Sequence, residues 1–308
     1  MNIHRELSSL PIFKNAVLTI GSFDGVHIGH QQIIKRLCQK AKEEEGQSIL
    51  VTFHPHPRLV LGNRRGPVKL LSTLAEKAQL LEHYGVENLV VVSFTRAFAE
   101  QSADEYIEQF LIHHFHPKYI IIGYDHKYGK GRQGNLLYLK KFEAKHQFKV
   151  EEISKQEVAQ IAVSSTKIRK AISQGNVAQA RQLLGHPFKL SGSVVQGRQI
   201  GSKIGFPTAN IMVSNPHKII PADGTYAVRV RYNSQTYKGM LYIGNRPTVH
   251  ANLKKTIEVN IFDFEKSIYK QELQVEFMEY LRATVKFDDL ESLKQQLGRD
   301  KKAALAVL

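Results

Sequence analysis

The sequence has little cysteine and no long apolar run, and both shortages narrow the class of protein. Cys38 is the single cysteine among 308 residues, which excludes an internal disulfide and a metal site built from several thiolates. No stretch of about 18 consecutive apolar residues occurs, so we expect no membrane-spanning helix. The first residues also lack the apolar core of a secretory signal. We therefore expect a cytoplasmic protein that has no membrane partner.

Acidic residues are also in short supply relative to basic ones. Lys and Arg together number 43 against 28 Asp and Glu, which gives a formal charge of +15. Such a balance attracts polyanions, and nucleic acid is one candidate. However, the basic residues are scattered along the chain, and no arginine-rich arm or RNA-binding signature is present. Nucleotide phosphates are polyanions too, so we predict no nucleic-acid partner and consider nucleotides instead.

The length suits two domains of roughly 150 residues each, and residues 1–185 differ in pattern from residues 186–308. In the first half, short apolar runs alternate with amphipathic stretches. These runs are Ala16–Gly21, Ser48–Phe53, Leu89–Phe94 and Tyr119–Gly123. Strands that alternate with helices predict a doubly wound α/β sheet, in which ligands bind beyond the carboxyl ends of the strands.

In the second half, apolar residues recur at every second position, which is typical of strands with one buried face. The clearest examples are Tyr226, Val228 and Val230, then Ile257, Val259 and Ile261, then Leu273, Val275 and Phe277. Several such segments in succession predict an antiparallel β-barrel or closed sheet. Residues 288–308 are predicted to form one closing helix.

The sharpest motif is GSFDGVHIGH, which occupies Gly21–His30 directly after the first predicted strand. Its glycines let the backbone approach a ligand closely, and the following helix N-terminus offers N–H groups to a phosphate. His27 and His30 stand three residues apart, so both can lie on one side of the first helical turn. The alternative is a glycine-rich turn with two surface histidines, and the position after a strand favours the phosphate site.

A second motif, SSTKIR, covers Ser164–Arg169. Ser165 can cap a helix whose first turn carries Thr166, Lys167 and Arg169. Hydroxyl groups, a helix N-terminus and two cations could bind leaving phosphates. An ordinary capped basic helix is the alternative when this motif stands alone.

A third motif, GRQIGSKIGFPTAN, lies at the start of the second half. Gly201 and Gly205 bracket Lys203 in a loop whose backbone amides could surround phosphates. Thr208 and Asn210 supply hard oxygen atoms at alternate positions, which suits Mg²⁺ held jointly with ATP. A plain Gly/Pro turn is the alternative that spacing alone leaves open.

With these motifs together, the chain resembles the bifunctional riboflavin kinase/FAD synthetases of bacteria over nearly its whole length. The resemblance implies an α/β doubly wound nucleotidyltransferase domain (residues 1–185) followed by an antiparallel β-barrel riboflavin kinase domain (residues 186–308). It also implies two activities: phosphorylation of riboflavin to FMN with ATP, and adenylylation of FMN to FAD with a second ATP. Mg²⁺ would accompany ATP, and the flavin would be substrate and product.

The resemblance also implies roles for particular residues. Catalytic roles fall to His27 and His30 for adenylylation and to Glu258, in the segment TIEVNIFDF, as the base for riboflavin. The implied nucleotide-binding residues are Gly21, Phe23, Asp24, Ser165, Thr166, Arg169, Gly201, Lys203, Thr208 and Asn210, with Thr208 and Asn210 also holding the metal. The implied flavin-binding residues are Asp125, Asn245 and Arg282.

Some positions depart from the family pattern. His126, Lys127 and Tyr128 stand where Phe, Arg and Phe are common, and Asn135 stands where aspartate is usual. One alternative is therefore a kinase whose adenylyltransferase half is weak or silent. Another is a basic nucleic-acid-binding or regulatory protein that keeps this fold without turnover.

Overall fold

The structure, a computed structural model, divides into two compact units. It describes residues 1–62, 66, 68–154, 163–197, 200–245 and 255–308, without the side chains of Ile200, Lys203 and Asn245. The first, here the α/β unit, comprises Met1–Val68 and Leu74–Ser164, and the second, the barrel unit, comprises Lys69–Thr73 and Ser165–Leu308. The sequence-based domain limit near residue 185 stays a prediction.

The α/β unit contains a six-stranded parallel sheet in the order β1-β4-β3-β2-β5-β6. Its strands are β1 (Asn2–His4), β2 (Val17–Ile20), β3 (Ser48–His54), β4 (Asn88–Ser93), β5 (Tyr119–Gly123) and β6 (Lys149–Ile153). The predicted doubly wound sheet is confirmed. The strand order reverses direction between β2 and β5, because β3 and β4 lie on one side of β2 while β5 and β6 lie on the other. This reversal is the point at which such sheets open a crevice.

Helices cover both faces of the sheet, which explains why its strands are apolar without alternation. Leu18 and Ile20 pack into one core cluster, whereas Val17 packs into the other. The helices are α1 (Ile28–Glu43), α2 (Pro57–Val60), α3 (Leu74–His83), α4 (Arg96–Ala99), α5 (Ala103–Glu105), α6 (His113–Phe115), α7 (Leu136–Lys140) and α8 (Glu143–His146). A π-helical turn, Tyr106–Ile112, joins α5 to α6, and 3-10 turns lie at Leu7–Ser9 and Lys130–Arg132.

The barrel unit is built around a closed antiparallel barrel in the order β10-β11-β8-β7-β12-β9. Its strands are β7 (Phe188–Val195), β8 (Ala209–Met212), β9 (Gly224–Tyr232), β10 (Gln235–Asn245), β11 (Lys255–Ile261) and β12 (Glu272–Arg282), and its helices are α9 (Ser165–Ser173), α10 (Val177–Leu184), α11 (Ile200–Lys203) and α12 (Leu290–Val307). The predicted barrel and closing helix are therefore present. Closure leaves no unpaired strand edge among these strands.

Aromatic side chains form the centre of the barrel core. The Phe277 ring is fully buried and lies 5.1 Å from the Tyr226 ring and 5.8 Å from the Phe188 ring, measured between centroids. Outside the barrel, Ala304 of α12 packs against Ala227. Successive residues of β9 and β12 thus alternate between two faces, as predicted. One face forms the barrel core, and the other meets α12.

Phe277→Ala should destabilise the barrel unit by about 3–5 kcal/mol, because it removes a fully buried ring and leaves a cavity. The control Leu305→Ala, at a position on α12 that is 41% exposed, should change the free energy of unfolding by less than about 0.5 kcal/mol. Hydrogen exchange of the barrel amides, monitored as a function of urea concentration, measures the free energy of unfolding of this unit separately. Equal effects of the two variants would contradict the assigned core.

Candidate active sites

A cavity of about 560 Å³ lies in the α/β unit at the carboxyl ends of β2 and β5. We call it the switch-point cavity. Four of the predicted site residues line it, namely the catalytic residue His30, the nucleotide-binding residues Gly21 and Phe23, and the flavin-binding residue Asp125. Residues from widely separated parts of the sequence thus meet where the strand order reverses.

Two strand-end glycines let other groups approach the backbone at this cavity. A Cβ atom on Gly21 would lie 3.1 Å from the Phe23 ring, and one on Gly123 would lie 3.2 Å from Cδ1 of Ile33. Between Gly21 and α1, Phe23 and Val26 adopt positive φ angles of 44° and 41°, a conformation that is costly for residues other than glycine. The chain therefore makes a tight and strained turn beside the cavity, as functional sites often do.

The two histidines of the motif form a stacked pair. His27 caps α1, with its Nδ1 accepting a hydrogen bond from the His30 backbone N–H at 3.3 Å. The two rings lie 3.6 Å apart between centroids at an interplanar angle of 13°. His27 and Asp24 are buried and are not among the residues that line the cavity, whereas His30 lines it.

The surroundings keep the His30 imidazole neutral. Desolvation of the ring lowers the pKa of His30 well below its ordinary value of 6.5, and the nearby His27 and Lys77 lower it further. Among the described residues, His30 Nδ1 has no hydrogen-bond partner although it is buried. A neutral imidazole can donate one hydrogen bond without adding a proton to the site.

Aromatic rings form one side of the switch-point cavity, and we call this set the aromatic wall. It consists of Phe53, Phe94, Phe98, Tyr106 and Tyr128. The Tyr106 and Tyr128 rings are stacked at 4.8 Å, and the Phe53 and Phe98 rings lie 5.6 Å apart. Such a surface suits a planar heteroaromatic ring. Sequence reasoning missed the wall, because its members come from separate segments that only the fold brings together.

The segment after β5 supplies polar groups. Asp125 is exposed, and burial lowers the pKa of the adjacent His126 to about 4, with Arg132 contributing and the Asp125 carboxylate acting in the opposite direction. Asn135, which departs from the family pattern, caps α7 by accepting a hydrogen bond from the Tyr138 N–H at 2.9 Å. Asparagine and aspartate are about equally good caps, so this departure preserves the local fold.

The SSTKIR motif starts α9 in the barrel unit. Ser165 is half-buried and Thr166 is exposed, while Ile168 anchors the helix in the core. Arg169 donates a hydrogen bond from Nε to the Lys69 carbonyl at 2.5 Å. The predicted contacts of Ser165, Thr166 and Arg169 with a nucleotide stay a prediction.

In the barrel unit, an amide on β8 lies opposite a carboxylate on β11, and a hydroxyl from the residue before β8 contacts that carboxylate. Asn210 of β8 pairs with Glu258 of β11, and the Thr208 hydroxyl donates to Oε2 of Glu258 at 3.5 Å. Thr256 and Asn260, which share the strand face of Glu258, are buried. The Glu258 side chain therefore belongs to a largely enclosed polar face, which disfavours the alternative of a plain solvent-facing strand residue.

Glycines shape the loop beside this cluster. A Cβ atom on Gly197 would lie 2.0 Å from Nδ2 of Asn210, and one on Gly201 would lie 2.2 Å from the Phe206 carbonyl oxygen. Thr208 lines a cavity of about 220 Å³, and Asn210 lines a neighbouring one of about 680 Å³. The predicted side chains of Lys203 and Asn245 lie outside the described part of the chain.

Arg282, predicted to contact flavin, joins the end of β12 to α12. Its Nε and Nη2 atoms donate to the two carboxylate oxygens of buried Asp300, at distances between 2.7 and 3.1 Å. Its Nη1 atom donates to the Ala283 carbonyl at 3.0 Å. These contacts fix the guanidinium group, and its role toward flavin stays a prediction.

The α/β unit has a neutral histidine at its switch-point cavity, and the barrel that follows has a carboxylate–hydroxyl cluster. Together, these features define a two-site transferase of the nucleotide-using class. The family model for FAD synthetase matches residues 10–167, and the model for riboflavin kinase matches residues 184–308. Each model coincides with one of the two sites described above. The chain belongs to the bifunctional riboflavin kinase/FMN adenylyltransferase family.

Individual relatives agree with this membership. The protein of that name from Listeria monocytogenes is 40% identical over 286 residues, which covers 93% of this chain and 90% of the relative. The one from Haemophilus influenzae is 38% identical, with 96% and 95% covered. A solved protein of Streptococcus pneumoniae, described as a macrolide-efflux protein, matches with a TM-score of 0.88 at 30% identity over 99% of both chains. Within the described ranges of this chain, no helix has both the length and the apolarity needed to cross a membrane.

The His30 imidazole should stay neutral at a pH where an unperturbed histidine, with a pKa of about 6.5, is half protonated. A pH titration of the ring resonances by NMR measures this directly, and the spectrum of His30→Asn assigns the signal. A His30 resonance that titrates at or above the ordinary value would contradict the inferred environment.

Proposed function

We propose that the chain makes FMN from riboflavin at the barrel cluster and FAD from FMN at the switch-point cavity, using one ATP in each step. The observation that carries the proposal is that each family-matched region contains its own cavity lined by a residue predicted for its reaction, His30 in one and Thr208 in the other. The flavin is thus substrate and product and passes from one reaction to the other.

In the kinase reaction, the riboflavin 5′-hydroxyl oxygen forms a bond to the γ-phosphorus of ATP as the bond to the leaving ADP breaks. The hydroxyl proton passes to the Glu258 carboxylate, the proposed base. Thr208 supports this role, since its hydroxyl lies 3.5 Å from Oε2 of Glu258. Such transfers depend mainly on positioning and charge compensation, and a rigid barrel provides the positioning.

The donors of the barrel cluster fit Mg²⁺, which prefers hard oxygen ligands. The Thr208 hydroxyl and the Asn210 amide oxygen would hold the ion together with ATP. Gly197 supports this arrangement, because any side chain there would displace the Asn210 amide. When bound, the ion would neutralise part of the triphosphate charge.

In the adenylyl transfer, an FMN phosphate oxygen forms a bond to the α-phosphorus of the second ATP, and pyrophosphate leaves. The neutral His30 ring donates a hydrogen bond to the charge that develops on the α-phosphate, and the N-terminus of α1 adds its dipole. The aromatic wall would receive a planar ring of the substrates, while Asp125 lies at the flavin side. Ser165, Thr166 and Arg169 are proposed to bind nucleotide phosphates.

Two substitutions should separate the activities. His30→Ala should lower FAD formation from supplied FMN on the order of 100-fold or more, because it removes a donor to the transition state, and should leave FMN formation unchanged. Glu258→Gln should lower FMN formation to a similar extent through loss of the base and leave FAD formation intact. Chromatography of the flavins measures both reactions.

Each variant serves as the matched control for the other, and circular dichroism checks that both are folded. If both folded variants lose both activities, the assignment of one reaction to each unit is wrong. Loss of neither activity would show that His30 and Glu258 do not act in these reactions.

A further inference from the structure

A buried lysine lies beneath the turn that joins β2 to α1, and the reactions above do not use it. Lys77 is on α3 and is 6% exposed. Lysine is almost never fully buried unless its ammonium group is paired. The contacts of this group therefore indicate what the buried charge does.

The ammonium group of Lys77 donates hydrogen bonds to the Ser22 carbonyl at 2.7 Å and to Oγ1 of Thr52 at 3.0 Å. The fully buried Thr52 hydroxyl in turn donates to the same Ser22 carbonyl at 3.3 Å. Side chains from α3 and β3 thus converge on one backbone oxygen of the motif. The next residue, Phe23, has the positive φ angle of 44°, which persists only where neighbouring groups hold it.

The charge of Lys77 reaches several titratable groups around the turn. Burial lowers the pKa of Lys77 to about 8, and the buried Asp24 carboxylate of the turn acts in the opposite direction. Lys77 contributes to lowering the pKa values of His30 on α1 and His54 on β3. The His27 ring stacks on His30. At neutral pH, Lys77 thus carries a positive charge that acts on His30 of the histidine pair.

Building on the proposed function, we infer that Lys77 is a positioning residue for adenylyl transfer: it holds the Ser22 carbonyl and so fixes the turn that presents His30 to the switch-point cavity. Ordinary packing does not account for the residue. A methionine of similar length would fill the same space without the cost of burying an ammonium group. The ammonium group instead gives the Ser22 carbonyl of the strained turn a second and shorter hydrogen bond beside that of Thr52.

The test compares Lys77→Met, which removes the donors, with Lys77→Arg, which keeps a charged donor. Lys35→Met, at an exposed position of α1, is the control and should behave as the wild type. Lys77→Met should lower kcat for FAD formation from FMN on the order of 100-fold, since small displacements of a catalytic group cost about this much. FMN formation from riboflavin should be unchanged in all three variants.

The pH profile separates a positioning role from a purely structural one. The ammonium group loses its proton as the pH rises through its pKa of about 8, so wild-type FAD formation should decline above that pH. This alkaline decline should disappear from the residual activity of Lys77→Met. In Lys77→Arg it should move to higher pH, because the guanidinium group stays charged, and much of the wild-type rate should return.

Several outcomes would overturn the inference. These are a wild-type rate in Lys77→Met, or an alkaline decline near pH 8 that persists in that variant. If Lys77→Met does not fold, Lys77→Arg decides, and an unchanged decline near pH 8 in this variant would also overturn the inference. If the wild type itself forms no FAD, the proposed function is wrong. This result differs from the outcomes above, in which the wild type forms FAD and only the role of Lys77 fails.

Discussion

The parallel pairing of β2 with both β3 and β5 is the constraint on which the first site depends. From β2 the chain adds β3 and β4 on one side of the sheet and then β5 and β6 on the other. The strand order therefore reverses beside β2, and a crevice opens at its carboxyl end. The turn that leaves β2 must then reach α1 within a few residues, which explains its strained backbone. The position of His30 follows from that pairing and from the helix that starts beyond the turn.

In the barrel unit, closure of an antiparallel sheet, instead of a reversal of strand order, positions the site residues. Antiparallel pairing between β8 and β11 sets Asn210 opposite Glu258, and a short loop brings the Thr208 hydroxyl to the same carboxylate. A closed sheet holds Asn210 and Glu258 on rigid strands, and such positioning would favour the proposed phosphoryl transfer. One chain thus combines a site at a strand-order reversal with a site on a barrel face.

Much of this could be predicted from the sequence, because the signals are local. The apolar runs predicted the central strands, and period-two alternation predicted the barrel. The aromatic wall and Lys77 could not be predicted, since each depends on which distant segments the fold brings together. The packing of Lys69–Thr73 with the barrel unit also depends on distant segments. These five residues carry no local sequence signal that predicts it.

The most direct test of the account follows all flavins with time after the full chain is mixed with riboflavin, ATP and Mg²⁺. Two sites acting in sequence predict that FMN rises first and then falls as FAD accumulates, with one ADP and one pyrophosphate released for each FAD. FMN that accumulates without conversion to FAD would contradict the role of the switch-point cavity. Absence of any new flavin would contradict the account of both sites.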